Sequence, residues 1–214
     1  MTRTEFLREM TTRLYPVLRG EGFRGSGATL RRISGPVVHI FNVQGSTTGS
    51  RCYLNLGAHL ASLPAEGGGT PSPQKILVYE CAFRSRLNPP EELGLGWPYG
   101  QTLAQARDVV EQIVAAWTRN AGSFYGRYRR YPESFESLVA EGLNQEGCDP
   151  VQCLTLARIA RELGHTDACS RLAAAGLEAC PPRASGLRMV LRKLADSSTQ
   201  PNNGLHRSPR SQLP

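Results

Sequence analysis

Gly22-Phe23-Arg24-Gly25-Ser26-Gly27 opens the stretch that decides the fold. Val37-Val38-His39-Ile40-Phe41-Asn42-Val43-Gln44-Gly45-Ser46 follows, and Leu54-Asn55-Leu56-Gly57 closes it. It reads as a helix exit followed by three short antiparallel strands. Asn42, Gln44 and Asn55 stand where a simple strand would carry Val or Thr. They read as strand-end and turn determinants whose side chains can edge a binding face.

Working outward, Thr2 and Glu5 have capping-box spacing, and Phe6, Met10, Leu14, Val17 and Leu18 recur at helical intervals. Pro16 should loosen the last turn, and Gly20 and Gly22 supply the stop. Downstream, Cys52 to Leu60 alternates apolar and polar residues, as a half-buried strand does. Gly- and Pro-rich residues 65–73 read as a loop. Lys75–Arg86 reads as a fourth strand, with Leu77, Tyr79, Cys81 and Phe83 on one face. Thr102 then caps a long helix with apolar positions from Leu103 to Trp117. The expected class is α+β: an N-terminal helix, an antiparallel sheet of about four strands covered by a long helix, then a C-terminal helical extension.

The domain reading is 1–131 for the α+β part, 132–196 for helices, and 197–214 for a disordered basic tail low in large apolar groups. Helices are expected at 135–143, 150–163, 166–180 and 184–195. The second and third form a hairpin joined at Gly164-His165.

The chain has 214 residues and a net charge of +7. Residues 183–214 hold six cations and one anion, or +5, so only +2 remains for residues 1–182. Only two of the 25 basic residues are Lys, namely Lys75 and Lys193. With no apolar secretory core and no run of about 18 apolar residues, a cytoplasmic protein with no membrane partner is expected. Its six cysteines should then be free thiols. No paired CxxC, HExxH, GxSxG or Walker pattern is present, so no metal, cofactor or catalytic residue is assigned.

Three function classes follow. In the first, Asn42, Gln44, Asn55, His59, Glu80, Arg84 and Arg86 gather on a polar sheet face rimmed by Trp97, and the chain acts by protein–protein contact. In the second, Tyr125, Arg127, Tyr128, Arg129 and Arg130 interleave rings and cations for nucleic acid, aided by the basic tail. In the third, His59 and Glu80 form the acid/base couple of a hydrolase-type enzyme.

The motifs Gly22-Phe23, Thr29 with Arg31 and Arg32, Asn42-x-Gln44-x-Ser46 and Asn55-Leu56-Gly57 together resemble the bacterial domain-of-unknown-function family numbered 4304, over residues 3–120. Leu30 departs from the aromatic expected there. The resemblance implies a bacterial cytoplasmic protein and no assigned reaction. By analogy with small α+β proteins that neutralise secreted toxins, an immunity-like role is the most concrete form of the protein-contact reading.

Overall fold

A computed structural model of the chain describes residues 1–65 and 68–196, so the tail expected at 197–214 lies outside the described residues. Two compact units divide after Ser137.

Helix α1 (Arg3–Gly20) begins at the expected box: Thr2 Oγ1 accepts from Glu5 N–H and the Glu5 carboxylate accepts from Thr2 N–H. Pro16 stays within the helix. Six strands follow in one antiparallel sheet: β1 (Arg24–Ser26), β2 (Thr29–Ser34), β3 (Val37–Gly45), β4 (Arg51–Leu60), β5 (Phe83–Leu87) and β6 (Trp97–Pro98). The first five pair in chain order, and β6 joins the start of β4. The α+β class holds, and the sheet gains two short strands.

One sheet face carries Phe41, Val43, Leu54 and Leu56, and α1 and α2 (Leu103–Ala116) close over it. Phe6, Met10, Leu14 and Leu18 face Val110 and Ile113 in a single core. A wide π-type turn, Trp117–Ala121, carries α2 into α3 (Gly122–Arg127). Its extra residue per turn offsets the drift that four-residue spacing accumulates in an α-helix. Trp117, Ala121 and Tyr125 therefore all stay buried. Trp117 meets Phe41 and Phe23 edge-on at 5.4 and 5.7 Å.

The expected strand at 75–86 is corrected. Its N-terminal part instead forms a turn, with Lys75 and Ile76 N–H bonded to Ser72 O, a 3₁₀ turn at Val78–Glu80, and the strand starting only at Phe83. The Glu80 carboxylate accepts from Leu77 N–H at 2.7 Å and holds that turn. Ile76, Val78 and Cys81 cover the sheet rather than extend it, while Leu77 and Tyr79 are exposed.

The second unit holds most of α4 (Glu133–Asn144), then α5 (Pro150–Glu162), α6 (Thr166–Ala179) and α7 (Ser185–Asp196). The hairpin between α5 and α6 turns at Gly164, whose φ of +79° suits glycine. His165 N–H closes back on Ala160 O. Gly176 lets the helices approach: a Cβ there would lie 2.7 Å from Cys153 Cβ and 3.0 Å from a Leu191 methyl. Six free thiols were expected, but Cys148 and Cys153 are joined as a disulfide, with Cα atoms 6.1 Å apart. Asp149, between them, caps α5.

Candidate functional site

The register brings most of the predicted polar residues together. Asn42 faces Asn55, which faces Arg86, while Gly57 faces Arg84 and Val38 faces His59. Strand alternation puts the side chains at Asn42, Gln44, Asn55, His59, Arg84 and Arg86 on the sheet face opposite the helices. That face has two halves.

The dry half is roofed by the connection from β4 to β5. Ile76 and Cys81 are buried on Val38 and Ile40, with Val78 packed alongside. Gly57 makes this possible, since a Cβ there would lie 2.8 Å from Cys81 Sγ. Arg31 ties the roof to β2, donating from Nε to Ile76 O and from Nη2 to Lys75 O. His59 is beneath it, 1% exposed. Its Nδ1 accepts from Ala82 N–H, so Nε2 is the donor to Leu63 O, both at 3.1 Å. Burial holds its pKa below the usual value. Neither ring nitrogen is left for proton transfer, and Glu80 sits on the turn and not on the sheet face.

The open half is a groove of about 410 Å³ lined by Gln44, Asn55, Val78, Tyr79, Arg84, Ser85 and Arg86. Its floor is a chain of amides. Asn42 Nδ2 donates to Ala28 O and Thr29 Oγ1, and Asn55 Nδ2 donates to Asn42 Oδ1 at 3.4 Å and to Gln44 Oε1 at 3.0 Å. The Arg86 guanidinium lies over the Tyr53 ring at 4.7 Å, a cation–π contact. Arg84 Nη1 donates to Tyr79 O at 3.1 Å. Among the described residues no carboxylate belongs to the lining.

Trp97 is corrected. It is fully buried on the opposite, helix-covered face and donates from Nε1 to Leu87 O at 2.8 Å. Tyr99 is in the same core. A lone aromatic after a loop carries no periodicity that would tell a rim from a core.

The Tyr/Arg segment is also divided. Tyr125 is buried and donates its hydroxyl to Ile40 O at 2.7 Å. Tyr128 stacks on Phe83 with centroids 4.4 Å apart. Both rings are therefore committed internally, while Arg127, Arg129 and Arg130 are exposed. Sequence reasoning did not see the joint this segment makes with the sheet. His39 Nδ1 accepts from Arg32, and its Nε2 donates to Tyr128 O at 3.1 Å. Burial, with Arg32 beside it, pushes the His39 pKa down to about 4. Burial pushes the Cys52 and Cys81 thiols up to about 12, so neither is a ready nucleophile.

In the second unit, a separate groove of about 520 Å³ is lined in part by Gln145, Cys148, Arg171 and Glu178. Its charges are of both signs. Among the described residues no three His, Cys, Asp or Glu side chains gather as metal ligands, and no helix is long and apolar enough to cross a membrane.

These features define a class: an α+β domain whose sheet is packed by helices on one face and half roofed on the other. The chain belongs to the family described as a domain of unknown function, DUF4304, whose model matches residues 14–123. That description assigns no reaction, so no residue role is carried over from it. No curated protein and no solved structure matches the chain.

Proposed function

We propose that this protein is a non-enzymatic binding domain that acts by protein–protein contact through the open half of its outer sheet face. The observation that carries this is the contrast between the two halves. His59 is buried with both ring nitrogens bonded to backbone and the Glu80 carboxylate is bonded to Leu77 N–H, whereas Arg84, Arg86, Gln44 and Tyr79 line an open groove. Paired aromatic and Arg side chains around such a groove are the residue types that dominate binding energy at protein interfaces. The setting proposed is the bacterial cytoplasm, and neutralisation of a toxin is the most concrete form of the role. Nucleic-acid binding is the weaker reading, because the two rings meant to stack on bases are packed inside the fold.

A photo-cross-linking residue at Tyr79, introduced into the full chain in its native cells, tests the reading. One adduct of defined mass is expected, and Arg84→Glu with Arg86→Glu should abolish it. The same probe at Gln112, on the exposed side of α2, should give none. No adduct at Tyr79, or the same adducts from both positions, would reject the proposal.

A further inference from the structure

We infer that the groove reads an extended acidic segment of a partner protein, with two carboxylates placed two residues apart. This rests on the protein-binding reading above and names the chemistry of the occupant.

Hydrogen-bond polarity supports the inference first. Ala28 O can only accept, so the Asn42 amide must turn its Nδ2 toward it. Asn42 Oδ1 is then an acceptor, which makes Asn55 Nδ2 the donor to both Asn42 Oδ1 and Gln44 Oε1. With its oxygen taken, Gln44 presents its NH₂ to the groove. The floor thus offers a donor beside the two guanidinium groups, and among the described residues no carboxylate lines the groove. Glu80 is not among the lining residues, and its carboxylate is bonded to Leu77 N–H. Such a surface complements a ligand made of acceptors with negative charge.

Spacing supplies the second argument. Arg84 and Arg86 are both exposed on one face of β5, opposite Gly57 and Asn55, so their Cα atoms are roughly 7 Å apart. An extended peptide projects its own side chains i and i+2 to one side at that same interval. Carboxylates at alternate positions meet both guanidinium groups, whereas adjacent ones point to opposite sides. The cations are also partly ordered in advance, Arg86 by the Tyr53 ring and Arg84 by Tyr79 O, which lowers the entropy lost on binding.

Fluorescence anisotropy with the full chain and three labelled eight-residue peptides tests this. One peptide carries glutamates at i and i+2, one has the same composition with the glutamates adjacent, and one has Gln in place of both. The alternating peptide should bind about tenfold more tightly than its isomer, and the Gln peptide should show no saturable binding. Arg84→Gln and Arg86→Gln should each weaken the alternating peptide about tenfold, the scale of one charge-assisted contact. Gln44→Glu keeps the acceptor for Asn55 but replaces the donor with a negative charge that repels the peptide carboxylates, so it should abolish binding while circular dichroism stays unchanged. Equal binding of the three peptides, or undiminished binding by the Gln44→Glu chain, would overturn the inference. So would a single-stranded oligonucleotide that displaces the alternating peptide and loses affinity in the same variants, since the ligand would then be a phosphate backbone. A persistent Tyr79 adduct alongside equal peptides would sink this inference alone. Loss of the adduct would sink the protein-binding reading itself.

Discussion

His39 holds a neutral ring between Arg32 and the Tyr128 carbonyl, deep against the Tyr125 ring. Its pKa falls from 6.5 to about 4 on folding. Between those values the unfolded chain binds a proton that the folded chain refuses. Stability that is fully present above about pH 6.5 is therefore lost as pH falls toward 4, on the order of 3 kcal/mol from this residue. His59 acts in the same direction. Urea unfolding from pH 7 to 4 should show the loss, and ring proton shifts should show His39 unprotonated at pH 5. Two tyrosines give a contrast at the same scale. The Tyr99 hydroxyl is buried with no hydrogen-bond partner among the described residues, so Tyr99→Phe should leave stability unchanged or raise it by up to about 1 kcal/mol. Tyr125→Phe removes the bond to Ile40 O and should cost about 1 kcal/mol. Urea midpoints for the two variants should move apart accordingly. Residue types in the sequence pointed to the polar face through Asn42, Gln44, Asn55 and the two arginines. They could not place Trp97, because burial of one aromatic is settled by which strand its neighbour joins.

The connection between β4 and β5 is the element that sequence patterning misread. Ile76, Val78 and Cys81 are apolar in the way a strand's inner residues are, and no glycine interrupts residues 75–86. A capped turn laid across a sheet satisfies the same pattern, and only the partner surface distinguishes the two. The strand 37–45 was legible because it is dense in β-branched and aromatic residues, and the strand 51–60 because apolar and polar residues alternate from Cys52 to Leu60. Gly57 is where the roof depends on the sheet. Its backbone tolerates a side chain, so Gly57→Ala acts by collision with Cys81 and Val78 alone. The variant should lose roughly 1–3 kcal/mol and expose Cys81. Thiol labelling read by mass spectrometry should find Cys81 modified several-fold faster than in the parent chain. Unchanged labelling would mean the roof does not rest on that contact.

At the scale of the whole molecule, the sequence placed the change of character near Tyr131-Pro132, where composition shifts, and the compact units divide after Ser137 within α4. A helix carries no compositional mark where its neighbours change, so pattern alone does not locate such a division. In the second unit, Gly176→Val would press on Cys153 and Leu191 and should lower the unfolding midpoint seen by far-ultraviolet circular dichroism, at a cost of about 1–3 kcal/mol. Both tryptophans belong to the first unit, so their fluorescence reports on that unit only. The half-roofed sheet has a consequence for variation among chains of this fold. The roof, with the lining residues Val78 and Tyr79, belongs to a connection, while the polar lining residues Gln44, Asn55, Arg84 and Arg86 belong to β3, β4 and β5, so the size of the opening is set by loop length and its polar chemistry by strands. Lengthening the segment after Leu60 would narrow the opening, and shortening it would widen it onto Val38 and Ile40. Neither change disturbs a ladder pair, which leaves the width of the opening and the residues that read its occupant free to diverge separately.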